Sequence, residues 1–259
     1  MKKAKVLFLL LPLAVAVAQA KEESKSEEGK STGRFSVLGL ALGEGDQYPA
    51  GKQSNIRGLS LSLFGERRNS VRGLAAGLCY SIMEEDMSGI QFALIGSATD
   101  KLNGIQFSGI YNYNYTFDGV TVAGLINTAG YDGTSRGLQI AGLLNLDGFA
   151  FSGWPEPTLI GGQIALVGNS SGHLKGFQAA LLINAAEGAC SGLQIGLINF
   201  AKELRGLQVG AFNYAEKTSG LQVGVLNFSS KGKGLQIGLL NSFGEEENLR
   251  ILPIINGRF

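Results

Sequence analysis

The most regular feature of the chain is a short cassette in which aliphatic residues alternate with glycine and glutamine. Its clearest copies start at Gly192, Gly206, Gly220 and Gly234 and read G-L-Q-[IV]-G-x-x-N. Successive starts are mostly 14 to 16 residues apart, and a fixed period of this kind is the signature of a repeat architecture. The looser copies start at eight earlier glycines: Gly58, Gly73, Gly89, Gly104, Gly119, Gly137, Gly161 and Gly176.

Each cassette is predicted to form a β-strand. It is eight or nine residues long, rich in Leu, Ile and Val, and bounded by charged or Gly/Ser stretches such as 201–205. Two glycines per copy would cost a helix about 1 kcal/mol each. In a strand, Gly192 and Gln194 lie on one face, while Leu193 and Ile195 lie on the other. Copies of nine residues would exchange these faces partway unless a β-bulge absorbs the extra residue.

Two all-β architectures accommodate such strands. One is a parallel β-solenoid, in which stacked Gln and Asn side chains form ladders. The other is an antiparallel up-and-down meander closed as a barrel, which removes unpaired edges. The segments between cassettes, such as 200–205 and 214–219, carry little apolar material for a second inner face and resemble hairpin turns. The closed barrel is therefore the favoured prediction, and the solenoid is the alternative.

A strand count supports the barrel prediction. The twelve cassettes, together with flanking segments 34–43 and 250–259, give about 14 short strands, and outer-membrane barrels have an even number. The two longest connections, 44–57 and 146–160, follow strands one and seven and would lie on the same side of a meander. No cassette contains Asp, Glu, Lys or Arg, so the aliphatic face suits contact with outer-membrane lipid.

The N-terminal residues indicate export. Residues 1–20 combine three lysines, an apolar run and a closing Ala18-Gln19-Ala20, as a cleaved signal peptide does. Cleavage would leave 19 basic and 21 acidic residues, a net charge of −2, which does not favour nucleic acid as a partner. Residues 21–34 hold eight charges and no apolar side chain, which predicts a flexible linker. Residues 35–259 are then a single β-repeat domain.

The cassette, the export signal and the closing Leu252-Pro-Ile-Ile-Asn256 resemble a family of bacterial exported surface repeat-containing proteins. The similarity covers about residues 58–259 and is closest in the four C-terminal cassettes. The copies at Gly58, Gly73 and Gly119 depart from it because they lack the glutamine. The resemblance implies repeats and a location in the bacterial cell envelope, at the outer membrane or the cell surface; it implies no activity.

The sequence offers little material for catalysis. Its one histidine, His173, lies in a predicted turn, and the acidic residues show no calcium-loop spacing. We therefore expect no enzyme activity, no catalytic residue, no cofactor and no metal site. Cys79 and Cys190 lie about seven cassettes apart, too far for a disulfide in either architecture.

One loop stands out as a candidate for partner contact. The longest insertion contains Trp154, Pro155, Glu156 and Pro157, and loops that carry Trp often anchor interfaces. The sequence predicts a small outer-membrane β-barrel with a structural or passive-pore role. The alternative is an exported surface repeat scaffold, adhesin-like and without a lumen, that binds a surface ligand which the sequence does not identify.

Overall fold

The structure, a computed structural model, describes residues 35–42, 47–48, 55–130, 133–148, 157–244 and 250–258. The predicted signal peptide and linker lie outside these residues. Phe35–Phe259 form one compact unit, and its described part consists of β-strands and the bends that join them, without a helix.

Twenty strands follow one another along the chain. The first ten are β1 (Phe35–Ala41), β2 (Gln47–Tyr48), β3 (Asn55–Ser62), β4 (Gly65–Arg68), β5 (Ser70–Gly77), β6 (Tyr80–Ala93), β7 (Gly96–Ser108), β8 (Tyr111–Ala123), β9 (Ile126–Ala129) and β10 (Thr134–Ala141). The second ten are β11 (Leu144–Asp147), β12 (Thr158–Ala165), β13 (Gly168–Ser171), β14 (His173–Ala180), β15 (Ile183–Ile195), β16 (Ile198–Leu204), β17 (Leu207–Thr218), β18 (Leu221–Gly232), β19 (Gly234–Phe243) and β20 (Arg250–Arg258).

These strands form a parallel β-solenoid of about twelve coils, so the predicted antiparallel barrel is wrong. Each cassette pairs in parallel with the equivalent residues of the next one: Gly176 lies opposite Gly192, and Gln178 lies opposite Gln194. A meander would have paired neighbouring cassettes in antiparallel. The register is kept across the 24-residue spacing as well, because Gly137 pairs with Gly161. The predicted placement of the long loops on one side of a barrel is therefore wrong as well.

One coil, residues 192–205, shows the common plan. Residues 192–195 are the glutamine segment, 196–197 a turn, 198–201 the asparagine segment and 202–205 the charged segment. The equivalent residues of the other coils form a glutamine segment, a turn, an asparagine segment and a charged segment in the same order. The extra residue of nine-residue cassettes is absorbed at the turn: Ala179 pairs with Ile195, and Ile183 with Ile198.

The charged segment explains why the sequence favoured a barrel. It resembles a hairpin turn because, as in residues 202–205, it holds only one apolar residue, yet that residue points inward. Leu174, Cys190 and Leu204 occupy this position in consecutive coils, and each is at most 1% exposed. In the other coils the same position is held by Ile56, Val71, Met87, Leu102, Phe117 and Leu159, so the column is apolar except at Ser135, which precedes Leu159, and at Thr218, which follows Leu204. The amide hydrogen bonds and small inward residues of the asparagine segments, such as Ala201 and Ala215, fill the rest of the interior.

The glycine that opens each cassette forms a column in which no side chain fits. From Gly73 to Gly234, an added Cβ would lie 1.8 to 2.5 Å from the carbonyl oxygen of the glycine one coil earlier. From Gly58 to Gly192 these glycines also have φ between +124° and +155°, which disfavours residues with a Cβ. The close stacking of coils at this corner therefore requires glycine.

The asparagines of the cassettes form an unbroken ladder inside the solenoid. In nine coils, from Asn112 to Asn241, each asparagine is at most 3% exposed. Each Nδ2 donates to Oδ1 of the asparagine one coil later, at 2.7 to 2.9 Å. Its second hydrogen goes to a backbone carbonyl of the next glutamine segment, as from Asn199 to Val209 O at 2.9 Å. This second bond fixes the orientation of the asparagine amide, because the atom that faces the backbone carbonyl has to be the donor, Nδ2.

The glutamines form a second ladder that points the opposite way. Each Gln Nε2 donates to Oε1 of the glutamine one coil earlier, as from Gln208 to Gln194 at 2.8 Å. It also donates across the core to the asparagine segment of its own coil, as from Gln194 to Phe200 O at 3.1 Å. The ladder is interrupted once, at Thr121, where Gln139 Nε2 has no hydrogen-bond partner among the described residues.

The C-terminal strand closes the last coil. β20 runs antiparallel to β19, with Gly234 opposite Arg258 and Phe243 opposite Arg250. It therefore covers the backbone edge on which a further coil would stack. Ile254, at the register shift of this pair, has φ of 68°, an outlier for a β-branched residue.

Candidate interaction surface

The N-terminal end of the interior holds a buried ion pair. Glu66 and Arg68 are fully buried, with Arg68 Nε 3.4 Å from a carboxylate oxygen of Glu66. Glu66 also accepts hydrogen bonds from Ser60 Oγ and, at 3.0 Å, from Ser81 Oγ. Burial lowers the pKa of Arg68, and the Glu66 charge opposes that effect. Because Ser81 in turn accepts from Gln91, the cluster ends the glutamine ladder and has a structural role.

Asp147 is the other buried acid. It ends β11 at the inward position that Ala129 occupies one coil earlier. Burial raises its pKa to about 8, and the nearby Gln139 amide partly opposes the rise, although neither carboxylate oxygen has a regular hydrogen-bond partner among the described residues.

The histidine and the cysteines are separated from one another. His173 begins β14 and is not in a turn, and its Nδ1 accepts the backbone N–H of Ala189 at 2.9 Å. Cys79 and Cys190 are both free thiols. Burial raises the pKa of the Cys190 thiol to about 12, so this thiol is unreactive near neutral pH.

The outer surface of most coils is apolar along the glutamine segment, the turn and the asparagine segment. We define the apolar ridge as the outward side chains of the glutamine segments, turns and asparagine segments of residues 58–241. The ridge includes Phe64, Leu166, Leu181 and Leu239, which are 57% to 69% exposed. Arg67 is the one charged side chain that faces outward within it in the described part of the chain. The aliphatic face predicted from the cassettes therefore exists and points away from the core.

The two sides of the ridge differ in chemistry. The outward residues of the glutamine segments are almost all Leu, Ile, Val and Phe, with Phe92 and Phe107 stacked at 5.6 Å. The asparagine segments add aromatic residues near the C-terminal end, where Phe212 lies 5.3 Å from Phe228 and Phe200 lies 6.1 Å from Tyr214. Rows of aligned side chains follow directly from in-register parallel pairing.

Apart from Arg67 and from Arg258 of β20, the outward-facing charges of the described residues lie in the charged segments, opposite the ridge. Glu203 shows the usual arrangement: Arg205 and Lys217 each place a nitrogen 2.9 Å from its carboxylate. These hydrogen bonds, from Lys217 first, hold the pKa of Glu203 below its ordinary value. The solenoid is thus amphipathic along its whole length, with amides inside, an apolar ridge and a charged back.

The loop that was predicted to contact a partner is only partly placed. Trp154, Pro155 and Glu156 lie outside the described residues, so their role stays a prediction. Pro157 is described and buried. Its carbonyl accepts the N–H of His173 at 2.7 Å, and a Cβ added to Gly148 would lie 2.1 Å from its ring. Pro157 therefore anchors the end of the insertion to the coil.

Sequence reasoning missed the buried Glu66–Arg68 pair, the burial of Asp147 and the orientation of the charged segments. Glu66 and Arg68 are adjacent to Arg67 in a run of charges that resembles an exposed turn, and only the alternation of strand faces separates them. A visible signal for the charged segment was the recurring basic residue directly before the cassette glycine, as in Arg136-Gly137 and Arg205-Gly206.

In the described part of the chain, no three His, Cys, Asp or Glu side chains converge as metal ligands would. No helix there is long and apolar enough to cross a membrane. Comparisons of this chain with protein-family models, with curated proteins and with solved structures find no match.

Proposed function

We propose that the protein is an exported repeat scaffold of the bacterial cell envelope that binds lipid through the apolar ridge. The observation that carries this proposal is the inverted distribution of polarity: amides fill the interior, and the aliphatic side chains face outward. The export signal and the resemblance of the cassette to exported surface repeat proteins support the location.

The size of the ridge supports a binding role. Twelve coils at about 4.8 Å each give a ridge about 58 Å long, and a width of about 20 Å, or six extended residues, makes its outward face on the order of 1,000 Å². The largest apolar patch on a typical soluble monomer is about 300–600 Å², and larger patches mark sites of protein or membrane contact. Leaving Leu181 and Leu239 69% exposed to water has no structural benefit, because the amide ladders already hold the coils together.

The shape of the ridge favours lipid over a rigid partner. The apolar residues continue from the glutamine segment around the turn and onto the asparagine segment. A rigid surface would contact one of these sides at a time, whereas acyl chains can surround both. Amphipathic elements of this kind lie in the membrane interface with their apolar face buried by about 5–10 Å.

Vesicle flotation tests the proposal. Protein lacking residues 1–20 is expected to float with phosphatidylcholine vesicles in a density gradient. Replacing three highly exposed ridge leucines with glutamine (Leu166→Gln, Leu181→Gln, Leu239→Gln) should abolish flotation without unfolding the protein. A matched control replaces Lys101, Lys202 and Lys217 with glutamine and should float normally. Wild-type protein that stays at the bottom of the gradient would contradict lipid binding.

A further inference from the structure

The charged segment has two borders of opposite sign. The position directly before the cassette glycine, which adjoins the glutamine segment, carries six basic residues and one acid, Asp118. We call these six the basic row: Arg57, Arg72, Arg136, Lys175, Arg205 and Lys233. The position three residues after the cassette asparagine, which adjoins the asparagine segment, carries Glu84, Asp100, Glu187 and Glu216 but only one base, Lys202.

The parallel register aligns the basic row along the solenoid. Arg57 pairs with Arg72, and Arg136 is followed two coils later by Lys175. From Arg136 onward, every second coil contributes one positive charge, at intervals of about 10 Å. This interval is close to the Debye length of about 10 Å at 0.1 M salt, so the charges repel each other weakly. Arg136, Lys175 and Lys233 can therefore each bind a separate anion, whereas Arg205 already pairs with Glu203.

The basic row borders the more aliphatic side of the ridge. Only the cassette glycine separates Arg136 from Leu138 and Lys175 from Phe177. Arg and Lys side chains reach several ångströms beyond their backbone and can carry their charge past an apolar surface. An apolar strip with positive charges along one border matches a lipid monolayer, in which acyl chains lie next to a layer of phosphates.

Resting on the proposed function, we propose that the basic row binds the phosphate groups of anionic phospholipids while the adjoining ridge lies among their acyl chains. Basic residues near an anionic membrane surface each strengthen binding severalfold. The acidic border lies on the far side of the charged segment, so an anionic surface attracts one border and repels the other.

A second copy of this chain fits the borders less well. If two copies packed through their glutamine segments with antiparallel solenoid axes, the basic row of one copy would lie along the basic row of the other. With the axes parallel, each basic row would meet the uncharged turns of its partner. Neither arrangement neutralises the basic row, whereas lipid phosphates do.

The experiment compares flotation of the mature protein with vesicles of pure phosphatidylcholine and with vesicles containing 30% phosphatidylglycerol. Wild-type protein is expected to bind the anionic vesicles at least tenfold more tightly, and 0.5 M NaCl should remove the difference. The triple variant Arg136→Gln, Lys175→Gln, Lys233→Gln should lose the anionic preference while it still floats with phosphatidylcholine. The control Lys101→Gln, Lys202→Gln, Lys217→Gln has the same net charge and should keep the preference.

The outcomes separate the two proposals. Equal binding of wild-type protein to both vesicles would overturn the role of the basic row and leave lipid binding intact. Equal loss of preference in both triple variants would also overturn it, because total charge would then be sufficient. Displacement from vesicles by inorganic phosphate equimolar with lipid would show a site for free phosphate and would overturn the lipid assignment. Failure to bind either vesicle would contradict the proposed function itself.

Discussion

At the scale of single residues, the solenoid reverses the usual assignment of polar and apolar positions. Gln208 is fully buried, whereas Ile195, which follows the ladder residue Gln194 and faces outward, is 45% exposed. Gln208 remains satisfied because its amide both donates to Gln194 and accepts from Gln222, at 2.8 Å each. Stability at such a position depends on an amide of the correct length and polarity.

We expect Gln208→Glu to be far more damaging than Ile195→Lys. The glutamate would bury a charge and lose the N–H donor to Gln194, at a cost of about 3 kcal/mol or more. The lysine would replace an exposed side chain, at a cost of less than about 1 kcal/mol. Urea unfolding of the two variants measures the difference, and a more destabilising Ile195→Lys would contradict the solenoid.

Thr121→Gln should stabilise the protein by about 1–2 kcal/mol. The new amide would complete the glutamine ladder between Gln106 and Gln139, and it would satisfy Gln139 Nε2, which has no partner among the described residues. Room for the longer side chain comes from Ala129, which occupies the inward position held by the larger Asn114 and Asp147 in the adjacent glutamine-containing coils. Thr121→Val removes the hydroxyl without completing the ladder, so it should give a smaller gain. Thr121→Gln proving less stable than Thr121→Val would count against the ladder.

Asp147 should make stability fall as pH rises. Its pKa is raised to about 8 in the folded protein, against an ordinary value of 3.8. Between these values the unfolded chain releases the proton and the folded chain keeps it, so stability declines from about pH 4 to pH 8 and then levels off. Asp147→Asn should match the wild type at pH 4 and exceed it at pH 9 by a few kcal/mol in the free energy of unfolding. The exposed Asp118→Asn is the control, and an unchanged pH profile in Asp147→Asn would refute the assignment.

At the scale of the strand, the sequence predicted some features and missed others for physical reasons. The length, alternation and β character of the cassette follow from local residue types, and Gln194 and Ile195 do face opposite ways. Pairing direction does not follow from them, because a parallel and an antiparallel neighbour bury the same alternate side chains. The deciding residue, Leu204, is a single apolar side chain in a charged stretch, and its burial depends on Cys190 one coil away. The apolar ridge was predictable as a face, but its border of basic residues was not recognised because those residues were assigned to turns.

β20 protects an edge that would otherwise be free to recruit another chain. A protein truncated after Gly244 exposes the backbone N–H and C=O groups of β19, which is a template for further pairing. We expect this truncation to form oligomers or fibrils, detectable by size-exclusion chromatography. The full-length double variant Ile251→Lys, Ile255→Lys keeps the backbone pairing and should have the elution volume of the wild type. A monomeric truncated protein would show that β20 is dispensable for closing the edge.

At the scale of the whole molecule, stability is a sum over coils and their interfaces. Because Gly192, Gly206 and Gly220 occupy one column, removing a whole period leaves the column and both ladders in register. The chain therefore has no unique central coil on which the others depend.

Deleting residues 206–219 should give a folded solenoid one coil shorter, whereas deleting residues 206–212 should not. The half-period deletion would place the asparagine-segment residues 213–215 opposite the glutamine segment 192–195 and interrupt both ladders. Circular dichroism would report β-structure in the first protein, with a urea m-value lower by about one twelfth, as expected when less surface is exposed on unfolding. Loss of folding in both deletions would contradict interchangeable coils.

The opposed directions of the two amide ladders have an electrical consequence. Asparagine amides donate toward the C-terminal end and glutamine amides toward the N-terminal end, so each ladder leaves one oxygen without a partner, Asn112 Oδ1 and Gln236 Oε1, at opposite ends. In an α-helix all peptide dipoles add and give the two tips opposite partial charges. Here the side-chain dipoles of each coil largely cancel, so the molecule can lengthen without accumulating polarisation along its axis. A rod built this way presents nearly the same potential at both tips, whatever its number of coils.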